Sequence, residues 1–179
     1  QAAAIAAEAY ARLSNRMAAV CVTSGPGATN AMTGCLCAYM GSIPMIIFSG
    51  QVRYSLTVRA HNLNLRTNGE QEYDICRSAA GMTKYCEMVV KPDDILYCLQ
   101  KALFLAKAGR PGPVWLDVLL DVQGASVDTD RLRTFDPATQ RSVDKGDEVW
   151  LPPCTEHALT TVHLSDLLPA KFLIIFKIF

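Results

Sequence analysis

The sequence predicts an α/β fold, a parallel sheet flanked by helices, and three observations point there. Apolar runs with β-branched residues recur at residues 17–23, 44–49, 83–90 and 114–120. Segments of helical period separate them, above all residues 30–40 and 92–108. Glycine or proline stands at most of the joints. Strands alternating with helices give a parallel sheet, and continuous apolar strands are those buried on both faces.

Residues 1–13, QAAAIAAEAYARL, are alanine-rich, with Ile5, Ala9 and Leu13 recurring at helical spacing. This is a helix packed closely on a neighbour. Ser14 and Asn15 end it, and residues 17–23 form a strand buried on both faces. A glycine turn follows, then a helix over 30–40, rich in Ala, Cys and Gly and so pressed against the sheet. PMIIFS, residues 44–49, is the next strand, closed by Gly50. Residues 53–70 are polar and show no period; so long a loop inside a domain is usually functional. Residues 71–80 can form a short helix and 83–90 a strand. Residues 92–108 carry the strongest helical pattern. Pro92 suits the first turn, Asp93 and Asp94 suit the positive end, and Ile95, Leu99, Ala102, Leu103 and Ala106 line one face. Gly109 closes it, RPGP turns the chain, and VWLDVLL is the last strand.

The 179 residues are 50% hydrophobic and 19% charged, enough for one domain and some extra chain. Seventeen basic residues balance seventeen acidic ones, so composition offers nothing to a nucleic acid or a membrane surface. The seven cysteines lie mostly in apolar segments and include no C-x-x-C. They read as reduced thiols serving as small hydrophobes, with no residue assigned to a metal. That favours the cytoplasm, with an organelle left open. No signal peptide opens the chain. It begins inside a helical pattern and is read as a fragment. The terminal apolar run FLIIFKIF, eight residues, is too short for a bilayer, which takes roughly 20.

The turn TSGPGATN, residues 23–30, joins a strand to a helix, the geometry of ligand binding at the carboxyl end of a parallel strand. It matches neither familiar phosphate motif. No lysine follows the second glycine, and where a dinucleotide fingerprint needs its third glycine the chain has Asn30. A generic dinucleotide-binding domain is set aside on that ground and for want of the ribose-binding acid. A tight turn with glycines for geometry alone is the plainer alternative.

The segment EAYARLSNRMAAVCVTSGPGATNAMTGCLCAYMGSIPMIIFSGQV, followed by GEQEYDI, TKY and GRPGPVWLDVLLDVQ, resembles the pyrimidine-binding domain of thiamine diphosphate enzymes, most closely the acetolactate synthase group. The resemblance spans residues 1–123. It implies the thiamine diphosphate-binding fold, in which this turn packs against the aminopyrimidine ring. The diphosphate and Mg²⁺ are then held by a separate domain with a G-D-G…N motif, which this sequence lacks. It also implies an active site shared between subunits, hence a homodimer or homotetramer, and a 2-keto acid substrate such as pyruvate.

Carried over by resemblance, Thr23 and Pro26 line the pyrimidine, Asn30 hydrogen-bonds near it, and Gly25 and Gly27 allow backbone approach. Gln71, in GEQEYDI, is the catalytic candidate, reaching toward the thiazolium and substrate. Gln51, in SGQV, is a further cofactor-binding candidate, or else a loop residue bonding its neighbours. The family's catalytic glutamate would stand just before Gln1; it favours the imino tautomer of the pyrimidine. Glu8 reads as a helix-surface or structural carboxylate. Arg53, Arg59, His61 and Arg66 sit in a loop longer and more basic than the family's. They are read as solvated charge, with contact to an anionic substrate as the alternative, and the longer loop leaves other keto acids or keto sugars open as substrates.

After residue 123, residues 124–160 read as a linker and 161–179 as the start of a central domain or an aberrant C-terminus. In some family members that central domain carries FAD. The whole implies part of a 2-keto acid carboligase or decarboxylase, with the fragment inactive by itself. The alternative is a non-catalytic binding or regulatory module.

Overall fold

The computed structural model describes residues 1–61 and 64–140. Four strands form one parallel sheet in the order β1-β2-β4-β3: β1 Ala18–Val22, β2 Met45–Gln51, β3 Tyr85–Val89 and β4 Val114–Leu119. The predicted α/β parallel sheet is therefore present, with each strand within two residues of its sequence-read limits. β2 runs through Gly50 to Gln51, because its ladder with β4 continues to the pair Gln51 and Leu119.

One face of the sheet carries α1 (Ala2–Ser14), α2 (Pro26–Met40) and the short α4 (Ile75–Ala79). Ala4, Val20, Ala31, Cys35, Met45, Ile47, Ile75 and Trp115 pack there into one cluster. α1 and α2 touch through small residues. A Cβ on Gly34 would stand 2.6 Å from the Cβ of Ala4. This shifts the buried stripe of α1 to Ala4, Glu8 and Ala11, and of the expected stripe leaves Ala9 half-buried and Ile5 and Leu13 outside, 43% and 88% exposed. Close helix approach rewards small side chains and turns large ones outward.

The other face is covered by α5 (Ile95–Lys107), which buries Cys98, Ala102, Leu105 and Ala106. A 3₁₀ turn, Pro92–Asp94, leads into it, with Asp93 and Asp94 at the positive end. α5 packs on β2, β3 and β4. Ala19 and Cys21 of β1 are exposed, correcting the expectation of a strand buried on both faces. β1 is an edge strand, and among the described residues only one of its faces is covered.

α2 starts at Pro26, four residues before the expected limit, because Gly25 caps it and Pro26 takes the first helical position, where a missing N–H costs nothing. Short helical pieces also occupy the long loop: a 3₁₀ turn, Tyr54–Leu56, and α3, Val58–His61. α6, Leu120–Gln123, follows β4 directly. The first part of the segment read as linker lies against α5. Phe135 is buried beside Tyr97 and Phe104, its N–H donates to Gln100 Oε1 (2.8 Å), and Arg133 pairs with Asp94 (3.1 Å). The rest of that segment and the C-terminal run lie outside the described residues. So does Cys154, whereas of the other thiols Cys35 and Cys98 are buried, Cys76 and Cys86 half-buried, and Cys21 and Cys37 exposed. The reading of the cysteines as core residues therefore fails at Cys21, on the open face of β1, and at Cys37, on the outer side of α2.

Candidate active site

β1 delivers the chain to the carboxyl end of the sheet, and the turn begins at Thr23. Gly25 adopts φ 53° and ψ −117°, a conformation that side chains disfavour. A Cβ there would also meet the carbonyl oxygen of Gln71 at 2.4 Å. Gly27 has a different task, since a Cβ on it would stand 2.5 Å from Cγ2 of Thr23. Main-chain bonds from Gly27 to Ser24 O (3.1 Å) and from Thr29 to Gly25 O (2.9 Å) fix the turn. α2 begins with no side-chain cap and no acidic residue in its first turn, so its positive end is open to an electron-rich group.

The fold brings the turn and Gln71 into contact although they lie far apart in sequence. Gln71 is itself left-handed, with φ 56°. Thr23, Pro26, Asn30 and Gln71 are exposed, while Gly25 is buried beneath them.

Gln51 ends β2 and is only 5% exposed. Its Nε2 donates to Tyr73 O (2.8 Å) and to Asp117 Oδ2 (3.0 Å), and its Oε1 accepts from the N–H of Val52 (3.0 Å). Both amide hydrogens are thus committed to the protein, which fixes the amide's orientation. Asp117 is fully buried and also accepts from Ser49 Oγ (2.5 Å), which in turn accepts from Trp115 Nε1 (2.9 Å). Burial pushes the Asp117 carboxyl up from 3.8 to about 7, against the hydrogen bonds from Ser49 and Gln51, with the nearby Asp74 charge adding to the rise. Neither Ser49 nor Asp117 was singled out from sequence. The available signal was an aspartate inside the apolar run VWLDVLL, since a carboxyl in a core strand must find donors.

Glu72, the neighbour of Gln71, also escaped the sequence reading. Its carboxylate accepts from the N–H groups of Val58 (3.2 Å) and Asn68 (3.0 Å) and so ties the long loop to the GEQEYDI segment. Arg53, Arg59 and Arg66 are exposed and form no ion pair among the described residues. His61 Nε2 lies 2.7 Å from Ser55 O. Glu8 is buried in α1 and bonded to Arg12 (Nε–Oε1 2.9 Å). Among the described residues no group of three His, Cys, Asp or Glu could hold a metal. A shallow cavity of about 490 Å³ between α4 and β3, lined by Asp74, Cys76, Arg77 and Cys86 among others, contains none of the residues assigned to the site.

Residues 1–77 match the sequence model of a family described as thiamine pyrophosphate enzyme, N-terminal TPP binding domain. With the parallel sheet and the glycine turn, this identifies the class: the chain carries a thiamine pyrophosphate enzyme N-terminal domain. Its relatives are more particular. It is 43% identical over 121 residues to the acetolactate synthase large subunit of Haemophilus influenzae, covering 68% of this chain and 20% of that one. It is 42% identical over 122 residues to the acetolactate synthase isozyme 3 large subunit of Escherichia coli, with 68% and 20% covered. It is 40% identical over 120 residues to the chloroplastic acetolactate synthase 2 of Zea mays, with 67% and 18% covered. The domain is thus similar to the corresponding part of acetolactate synthases, and the chain spans about a fifth of the length of the relatives it matches.

Proposed function

We propose that this chain forms the pyrimidine side of a thiamine diphosphate site, in an enzyme that decarboxylates a 2-keto acid such as pyruvate and joins the two-carbon unit to an acceptor. The observation that carries the reading is the Gly25 turn, buried, left-handed, closed on Gln71 and ringed by exposed Thr23, Pro26 and Asn30. The residues fit a flat heteroaromatic ring. The turn lays no large side chain across its mouth, Pro26 offers an apolar face, and Thr23 and Asn30 offer polar groups for a ring edge.

When bound, thiamine diphosphate supplies the electron sink for cleavage beside the keto group. The chain's own residues bind and orient. Thr23 and Asn30 hold the ring edge, Pro26 packs on its face, and Gln71 reaches from its left-handed backbone toward the reacting carbon and the substrate. Gln51 serves by holding the main chain at Tyr73, since its amide is already committed. Glu8, bonded to Arg12, is structural.

In this proposal Mg²⁺ and the diphosphate are held outside the described residues, as is FAD where it is used, and the chain is inactive by itself. Ile5, Leu13, Leu36, Tyr39 and Met40 leave an exposed apolar surface on α1 and α2, which supports subunit packing as a homodimer or homotetramer. No helix among the described residues is long and apolar enough to cross a membrane. The free thiols favour the cytoplasm.

The test is a graft. Residues 1–123 replace the matching segment of the Escherichia coli isozyme 3 large subunit, and acetolactate formation from pyruvate is followed with thiamine diphosphate and Mg²⁺. Activity that a Gly25→Val change abolishes is the expected result. A folded graft that binds the cofactor and makes no acetolactate would overturn the reading.

A further inference from the structure

We propose that Asp117 is a positioning residue for this site: it holds Gln51, Gln51 holds the main chain at Tyr73, and that hold keeps Gln71 seated against the Gly25 turn. The proposal deepens the functional reading above and rests on it for the role of Gln71.

Each link is a hydrogen bond or a close contact. Asp117 stands opposite Ser49 in the β2–β4 register and receives one donor on each oxygen, Ser49 Oγ on Oδ1 and Gln51 Nε2 on Oδ2. The second Gln51 hydrogen goes to Tyr73 O, two residues beyond Gln71, and the carbonyl of Gln71 lies where a side chain on Gly25 would be. Ser49 cannot turn away freely, because its oxygen already accepts from the Trp115 indole. A floor of buried strand is thereby connected to the exposed mouth.

A carboxylate is needed at the centre because only the ionised form accepts from two donors without a hydrogen of its own to place. Protonation puts that hydrogen against Ser49 or Gln51, which both donate there, and so loosens the hold. The groups facing Asp117 are few. The α4 segment brings Asp74 and Cys76, each electrostatically coupled to it. β2 and β4 bring Ser49, Gln51 and Trp115, and β3 brings Met88 in register and, two residues earlier on the same face, the thiol of Cys86 that is hydrogen-bonded to Cys76. Burial of the carboxylate costs stability, so positioning is a reason for the residue that stability does not supply.

The experiment is an NMR titration of the ¹⁵N-labelled 179-residue chain across neutral pH. The Trp115 indole N–H, the Gln51 side-chain amide and the main-chain amides of Gln71 and Gly25 are expected to shift together with one midpoint. In Asp117→Asn that common midpoint disappears. In Gln51→Met the Trp115 indole still titrates while Gln71 and Gly25 no longer follow, which keeps the test decisive if the Asn variant fails to fold. Gln71 and Gly25 amides that ignore the midpoint in the unaltered chain would overturn the proposal.

The grafted synthase separates the two claims. Asp117→Asn there should lower kcat by roughly ten- to a hundredfold, with the KM for pyruvate unchanged and the acid limb of the pH profile altered. An unaltered graft without activity sinks the functional reading and leaves the positioning claim to the NMR result. An active graft that Asp117→Asn does not affect at any pH sinks the positioning claim.

Discussion

β1 and β4 look alike in sequence, and the fold treats them differently. Both are short apolar runs that read as strands, the first as one buried on both faces. Every residue of β4 is buried, because β2 and β3 flank it and helices cover both of its faces. Among the described residues β1 has one strand neighbour in the sheet, and it leaves Ala19 and Cys21 exposed. Apolar content reports that a strand is suited to burial, and position in the sheet decides how much of it is buried.

Four measurements break or sharpen that comparison. The largest effect is expected at Trp115, fully buried in β4. Trp115→Ala should cost about 3–5 kcal/mol in urea unfolding, and it also orphans the Ser49 acceptor. A cost under about 1 kcal/mol would mean that β4 is not the centre of the core. Next comes the seam beneath β1. Gly34→Val pushes a side chain into the backbone of Ala4 and Ile5 and should cost about 1–3 kcal/mol in thermal unfolding, with no change expected if α1 stands off from α2.

The third is the buried charge of β4, for which the sign is definite. Asp117 is raised from 3.8 to about 7, so the folded chain binds its proton more tightly than the unfolded chain does. Its stabilising contribution is whole below the unfolded value and is lost as pH rises through about 7. Asp117→Asn should therefore flatten the fall in stability between mildly acidic and mildly alkaline solution, and an unchanged slope would contradict the assignment. The smallest effect belongs to the open face of β1: Cys21→Ser should change stability by no more than about 0.5 kcal/mol. A larger loss would show that something covers that face in solution.

Much of the candidate site was readable for a local reason. Gly25, Pro26 and Gly27 carry their geometry in their own backbone rules, so the turn could be found from eight residues. Gln71 was found by resemblance, and its left-handed backbone against Gly25 emerged only in three dimensions. Gln51 was ambiguous in sequence because an amide can bond a ligand or its own chain. The partners that commit it, Tyr73 and Asp117, come from other segments. Ser49 and Asp117 were passed over for the same reason, each being one polar residue in an apolar run. The stripe of α1 was misassigned because hydrophobicity favours Ile5 and Leu13, while a close helix contact favours Ala4 and Ala11.

The sequence by itself determined the alternation of strands and helices and the turn at the end of β1, since period, glycine and proline act over a few residues, and its resemblance to a known family implied the class of domain. Tertiary structure alone decided the strand order, which faces were covered, and the joining of Gly25, Gln71, Gln51 and Asp117 into one connected set. Those outcomes depend on which distant surfaces meet, and on the requirement that every polar group so buried find its partner there.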